Sequence, residues 1–394
     1  MVAGAPIIQR TLLFTLAALL GAVTRPVPAK AQITPTFNDV PYAVVPLDAG
    51  GTMTVFLDVY MPTAGTPPHP MLLWIHGGGW QGGTHNNVPA MALQLRDQGF
   101  VVASVNYRLS GSAVFPAQIH DVKGAVRFLR ANAATYSLDV NRFGSWGTSA
   151  GGHLSALLAT SGDAPALEGT SGGNLAFSSA VQAAVDFFGP TDILNMQLDV
   201  TTPPGGAFNH DDPGSPESHL VGWDAPGQGI GNIRANLANP TPPYPALVQL
   251  CMQVNPITWL TPGDPPLFIS HGTSDTAVPI RQSVRLCDAM YAANLYRDYR
   301  PVTGAGHGPL GATTEAAARV FLIHRLTPIP FVPGDLNCDG TLSAADLEPM
   351  VLALMNPAGH TAAFPSCDIG RADCNSDQRL DGGDIRAFVE MLVP

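Results

Sequence analysis

The chain has 394 residues, with 19 Lys and Arg against 30 Asp and Glu and a formal net charge of -11. Removing residues 1–31, which hold Arg10, Arg25 and Lys30 and no acid, takes that charge to -11 - 3 = -14. A surface this acidic argues against nucleic acid or an anionic membrane as partner, and the length suits one large domain plus a small module.

At the N-terminus, Arg10 precedes an apolar run from Leu12 to Val23, and Ala29, Lys30 and Ala31 form an A-x-A site. That arrangement predicts an export signal cleaved after Ala31 and a secreted product. The run is shorter than the roughly 18 to 20 residues that span a bilayer, so no membrane anchor is expected. From about Val45 to Arg325, short apolar runs alternate with amphipathic segments. MLLWI at 71–75, VVASV at 101–105, AVDFF at 184–188 and LFIS at 267–270 are bounded by Gly, Pro or Asn and predict strands buried on both faces. DVKGAVRFLRANA at 121–133 sets Val122, Ala125, Val126 and Leu129 on one helical face, with Asp121 in N-cap position. The alternation predicts an α/β domain over 32–325, with a mostly parallel sheet covered on both sides.

Residues 200–245 are dense in Pro, Gly and polar side chains. A stretch of that length without regular structure is expected to act as a lid or substrate-binding insertion. Pro328, Pro330 and Pro333 make 326–334 a stiff linker. Residues 335–394 then carry two similar segments, DLNCDGTLSAAD from Asp335 and DCNSDQRLDGGD from Asp373, which mark a separate module. All five cysteines lie in the C-terminal half. An exported chain favours bridges: Cys251 with Cys287, and one local bridge among Cys338, Cys367 and Cys374.

G-x-S-x-G occurs twice, around Ser149 and around Ser171. Ser149 follows the strand-like FGSW and precedes the helix-competent AGGHLSALLAT, the strand, tight turn and helix of a nucleophile elbow. Ser171 has no strand in front of it and is expected in a loop. A serine hydroxyl needs an imidazole to take its proton and N–H donors to hold the oxyanion that follows. MLLWI runs into His76, Gly77, Gly78, Gly79 and Trp80, where consecutive glycines expose backbone N–H groups. The acid and base should follow in that order at the ends of later strands. Asp275, just past LFIS, is preferred to Asp192, which is expected to cap a helix. His307, in the glycine-flanked GAGHG, is preferred to His120, His153, His271 and His324. With no H-E-x-x-H or comparable spacing, no catalytic metal is expected.

HGGGW, GTSAGGH at 147–153, HGTSDTAVP at 271–279 and GAGHG at 304–308 resemble α/β-hydrolases of the hormone-sensitive-lipase type, and more narrowly the bifunctional feruloyl and acetylxylan esterases. DDPGSPESHLVG at 211–222 and NPITWLTPGDPPLFISHG at 255–272 are also similar to that subgroup. The resemblance covers roughly residues 40–325. It implies Ser149 as nucleophile, Asp275 as orienting acid, His307 as base, and the N–H groups of Gly78, Gly79 and Ala150 as oxyanion donors. The expected substrate is an esterified plant polysaccharide bearing acetyl or feruloyl groups. The alternatives are a general short-chain carboxylesterase or lipase, and a non-catalytic scaffold-binding protein.

In the tail, oxygen-bearing side chains recur at positions 1, 3, 5, 9 and 12: Asp335, Asn337, Asp339, Ser343 and Asp346, then Asp373, Asn375, Asp377, Asp381 and Asp384. This is EF-hand-like spacing for Ca2+, with the carbonyls of Thr341 and Arg379 at position 7. Gly340 occupies position 6 of the first loop and Gln378 that of the second, which weakens the second loop. The pair resembles a type I dockerin, a small all-α calcium module, and implies a cohesin-type scaffold as partner. Its cysteines depart from the usual pattern.

Overall fold

The computed structural model describes residues 33–162, 164–200, 208–327, 332–364, 367–377 and 379–393. The expected export signal, the centre of the Pro-rich linker and Gln378 lie outside the described residues. No helix among the described residues is long and apolar enough to cross a membrane.

Eight strands form one sheet: β1 (Phe37–Pro46), β2 (Thr52–Tyr60), β3 (His69–Ile75), β4 (Val101–Val105), β5 (Leu138–Thr148), β6 (Ala183–Phe187), β7 (Leu267–Gly272) and β8 (Arg297–Val302). They lie in the order β1-β2-β4-β3-β5-β6-β7-β8. β1, β2 and β4 pair antiparallel, and every later pair is parallel. The apolar runs at 71–75, 101–105, 184–188 and 267–270 fall within or across β3, β4, β6 and β7. Successive side chains on a strand point to opposite faces. Met71, Leu73, Ile75, Val101, Ala103 and Val105 therefore enter one core, whereas Leu72, Trp74 and Val102 enter the other. Both layers stay dry because helices cover both faces of the sheet.

Several local expectations are corrected. Asp121 does not cap a helix. It lies inside the Ala117–Ala131 helix, fully buried, where its Oδ1 and Oδ2 accept from Arg108 at 2.7 and 2.8 Å. A buried carboxylate gains more from a bidentate guanidinium than from one backbone N–H. Ser171, on a loop, donates to the same carboxylate at 2.7 Å. Asp192 caps no helix either; it accepts from the Asn195 amide at 2.6 Å.

Segment 200–245 is not structureless where it is described. Ser215 accepts from the Ser218 N–H and Pro216 supplies the preset first turn of the Pro216–Leu220 helix. The Ile230–Ala235 helix follows, with Ile230 and Ile233 buried, and then the Tyr244–Val254 helix begins. Cys251 and Cys287 are not bridged. They sit on two separate helices as small apolar core residues, and burial pushes both thiols well up. The bridge that forms joins Cys338 to Cys367 in the tail.

The tail has its own small core of Leu336, Met350, Ala353, Ile369, Ala372 and Phe388. It belongs to the same compact unit as the sheet. The Arg300 guanidinium donates to the Thr361 hydroxyl, and Arg325 lies 4.2 Å over the Tyr296 ring and 3.9 Å from Asp368.

Candidate active site

β5 ends at Thr148 and the Ala150–Thr160 helix starts two residues later, so the turn between them has a single residue, Ser149. Its backbone stands at φ 55°, ψ -126°, a conformation an L residue adopts only under constraint. The neighbours supply that constraint. A Cβ on Gly147 would meet the Gly151 carbonyl oxygen at 2.1 Å, and one on Gly151 would meet that of Ile75 at 2.1 Å. The Ser149 N–H donates to Phe187 O at 2.9 Å and His153 N–H to Ser149 O at 2.9 Å, pinning the turn to β6 and to its own helix.

The 76–80 loop leaves the end of β3 and lies directly against this turn. Only glycine fits at 77, where a Cβ would sit 2.7 Å from Thr148 O. Gly78 (φ 113°) and Gly79 (φ 58°) take conformations open to glycine, and the Gln81 and Gly82 N–H groups close the turn on Gly78 O at 3.0 Å. Trp80 anchors the far end. Its indole N–H donates to His153 Nδ1 at 3.1 Å, and His153 Nε2–H donates to Val254 O at 2.8 Å. Because a carbonyl can only accept, His153 is the neutral Nε2–H tautomer, and burial takes its pKa down to about 4. Ala150 is the first residue of its helix, so its N–H has no intrahelical partner.

Asp275 follows β7 and His307 follows β8. The Ser149 hydroxyl donates to His307 Nε2 at 2.9 Å, and His307 Nδ1–H donates to Asp275 Oδ2 at 2.7 Å. The Asp275 Oδ1 accepts from the Ala277 and Val278 N–H groups at 2.8 and 2.9 Å. Burial alone would raise the Asp275 pKa, but hydrogen bonds from His271, His307 and the Val278 N–H outweigh it. The carboxyl is held well below the usual range. An ionised Asp275 fixes the imidazole with Nδ1 protonated, which leaves the Nε2 lone pair facing the serine hydroxyl. Phe188 packs edge-on at 4.8 Å from the His307 ring and limits its swing.

Sequence reasoning treats His271 only as a rival base, and the structure gives it another place. It is fully buried. Its Nδ1 meets Ser283 Oγ at 2.7 Å, and its Nε2–H donates to Val278 O at 2.9 Å and lies 3.2 Å from Asp275 Oδ2. The i, i+4 spacing of His271 and Asp275 at a strand end is the signal that could have shown it backing the acid.

Ser149, His307, Gly78, Gly79 and Ala150 line one cavity of about 1010 Å³. It opens beyond the carboxyl ends of the parallel strands, where sheets of this type bind ligands. The 208–217 segment forms part of its wall through Phe208, His210, Pro216 and Glu217. A Cβ on Gly79 would lie 3.4 Å from the Pro216 Cβ, so the first turn of the Pro216–Leu220 helix faces the glycine loop.

The tail places its two loops in one hydrogen-bonding pattern. Asp335 Oδ1 accepts from Asp339 N at 3.1 Å, as Asp373 Oδ1 does from Asp377 N at 3.0 Å. Asn337 and Asn375 each accept from the residue two further on at 2.9 Å. Asp346 bonds Leu336 N at 2.8 Å and Ser343 N at 3.0 Å. Asp384 repeats this with Cys374 N at 2.9 Å and Asp381 N at 3.0 Å. Ser343 Oγ accepts from Ala345 N at 3.1 Å, and the Arg379 side chain turns away to lie 4.6 Å over Tyr291. The donor set is all oxygen and rich in carboxylate, which fits a hard cation such as Ca2+. One departure is Arg371, whose guanidinium reaches Asp335 Oδ2 at 3.0 Å.

A largely parallel sheet, a strand-turn-helix elbow carrying serine and a Ser-His-Asp chain of hydrogen bonds together define an α/β-hydrolase. The BD-FAE family model matches residues 57–290, more than half of the sequence, and the chain belongs to that family. Among curated relatives, Esterase LipQ of Mycobacterium tuberculosis is 30% identical over 251 residues, covering 62% of this chain and 50% of LipQ. The chain spans about half the length of the curated relatives it matches. Among solved structures, a truncated carbohydrate esterase from gut microbiota superposes with a TM-score of 0.60 at 30% identity, covering 76% of this chain and 98% of that one. A bifunctional GH43-CE protein of Bacteroides eggerthii gives 0.59 at 34% identity, covering 73% and 35%.

Proposed function

We propose that the protein is a secreted serine carboxylic-ester hydrolase that removes acetyl or feruloyl groups from plant cell-wall polysaccharide such as xylan. The observation that carries this is the Ser149, His307 and Asp275 chain at the wall of a cavity shared with the glycine loop. In the proposed cycle His307 takes the Ser149 proton as Oγ attacks the ester carbonyl. The N–H groups of Gly78, Gly79 and Ala150 receive the oxyanion, each donor contributing about 2.7 to 4 kcal/mol. His307 then protonates the leaving alcohol, and water activated by the same imidazole releases the acid. The carbohydrate esterase among the structural neighbours supports a carbohydrate ester over a lipid. The tail would hold structural Ca2+ through Asp335, Asn337, Asp339, Thr341, Ser343 and Asp346, and through the equivalent residues from Asp373 to Asp384. It would dock a cohesin-type scaffold.

The test is turnover of acetylated xylan, methyl ferulate and p-nitrophenyl esters of increasing acyl length. Short-chain and carbohydrate esters should be cleaved, and Ser149→Ala should lower kcat by roughly 10⁴-fold or more while the protein stays folded. Retained activity in Ser149→Ala would remove the triad assignment, and a preference for long acyl chains would remove the polysaccharide substrate.

A further inference from the structure

One buried polar pair in the cavity wall takes no part in the Ser149 chain. His210 and Glu217 are 1% and 2% exposed, both line the cavity, and His210 Nδ1 lies 3.2 Å from Glu217 Oε2. Neither ring nitrogen of His210, nor Glu217 Oε2, completes a hydrogen bond among the described residues. Leaving such groups unsatisfied is costly, so a pair of them in a cavity wall calls for a partner. Their backbone is held firmly. His210 N–H donates to Gln197 Oε1 at 2.8 Å, Ser215 Oγ donates to His210 O at 3.1 Å, and Ser215 caps the helix that carries Glu217.

We propose that His210 and Glu217 form a specificity site that reads a hydroxyl group of the ester substrate, an inference that rests on the esterase function proposed above. A hydroxyl both donates and accepts, so it can satisfy an imidazole nitrogen and a carboxylate oxygen together. It also brings no net charge into a buried site. Pro216, the neighbour of Glu217, faces Gly79 of the glycine loop, and both members of the pair line the cavity that holds Ser149. Phe208, its ring 6.4 Å from that of His210, adds an apolar flank. The hydroxyl belongs either to the acyl group, as in a hydroxycinnamoyl ester, or to the sugar that carries the ester.

Two matched pairs of esters separate these sources. Methyl 4-hydroxycinnamate against methyl cinnamate probes the acyl side, and 2-hydroxycyclohexyl acetate against cyclohexyl acetate probes the alcohol side. The wild-type protein should favour the hydroxylated member of one pair by about tenfold or more in kcat/KM. His210→Leu and Glu217→Gln should both bring that ratio to within about threefold of unity. The pair that shows the preference identifies the source. A wild-type ratio near unity in both pairs overturns the proposal, as does a ratio that survives in Glu217→Gln, the near-isosteric variant that serves if His210→Leu does not fold. Wild-type turnover of p-nitrophenyl acetate keeps the two readings apart. An active enzyme indifferent to the hydroxyl removes only the specificity site, whereas an enzyme inactive on every ester removes both.

Discussion

Asp275 and Asp186 are both buried carboxylates at strand ends near Ser149, and their surroundings drive them in opposite directions. Asp275 has two imidazoles and two N–H donors, so its contribution to stability is present above the ordinary carboxylate pKa near 3.9 and is lost as pH falls below it. Asp186, paired in register with Gly147, has one donor among the described residues, the Gly189 N–H at 2.8 Å, and burial pushes its pKa up to about 7. The native state keeps a proton that the unfolded chain releases near pH 3.9, so this group's contribution falls as pH rises from about 4 to about 7. Asp186→Asn, neutral at every pH, should therefore melt higher than wild type at pH 8 and close to it at pH 4.5. Thermal unfolding followed by circular dichroism at the two pH values checks this, and an equal difference at both would show that Asp186 is not held protonated.

The elbow shows how one motif has two meanings at the level of elements. Gly151 and Gly173 each end a G-x-S-x-G, but the first lies in the first turn of the Ala150–Thr160 helix, packed against the end of β3, and the second on an open loop. A Cβ at 151 would run into backbone oxygens of Ile75 and His76 at 2.1 and 2.6 Å, whereas a Cβ at 173 meets nothing within 4 Å. Gly173 has φ 62°, so its substitution costs about 1 to 2 kcal/mol of backbone strain and little else. Gly151→Ala should cost roughly 4 kcal/mol or more, because neither the strand nor the helix can yield separately. Urea denaturation midpoints of Gly151→Ala and Gly173→Ala provide the comparison, and equal shifts would deny the close contact. The central strands are legible because burial on both faces leaves near-continuous apolar runs. β1 and β2 are not, since exposed and buried positions mix along an edge that includes Pro41 and Pro46.

At the scale of the whole molecule, arginines join the tail to the α/β domain: Arg300 on Thr361, Arg325 near Asp368, and Arg379 over Tyr291. Calcium binding to the tail loops would stabilise the native state by about 2.7 kcal/mol at a hundred times the dissociation constant. Thermal unfolding in CaCl2 should then shift upward relative to EDTA, and the shift should shrink in Asp335→Ala and Asp373→Ala. p-Nitrophenyl acetate turnover should be the same in both buffers. Identical melting with and without calcium would remove the metal from the tail.

Local sequence determined those features that chain neighbours settle between themselves. Apolar runs specify strands, a serine flanked by small residues between strand and helix specifies an elbow, and acidic spacing repeated 38 residues apart specifies two similar loops. What depends on residues far apart in the chain was decided only by the tertiary structure. His271 backs Asp275 because of a turn that also involves Val278 and Ser283, and Asp121 serves Arg108 instead of a helix end. Cys251 and Cys287 remain thiols because two helices bury them separately. His210 and Glu217 reach the same cavity as Ser149 because the Ser215-capped helix packs against Gly79. Periodicity reports which face of an element avoids water, but the partner that a buried polar group finds depends on which elements pack together.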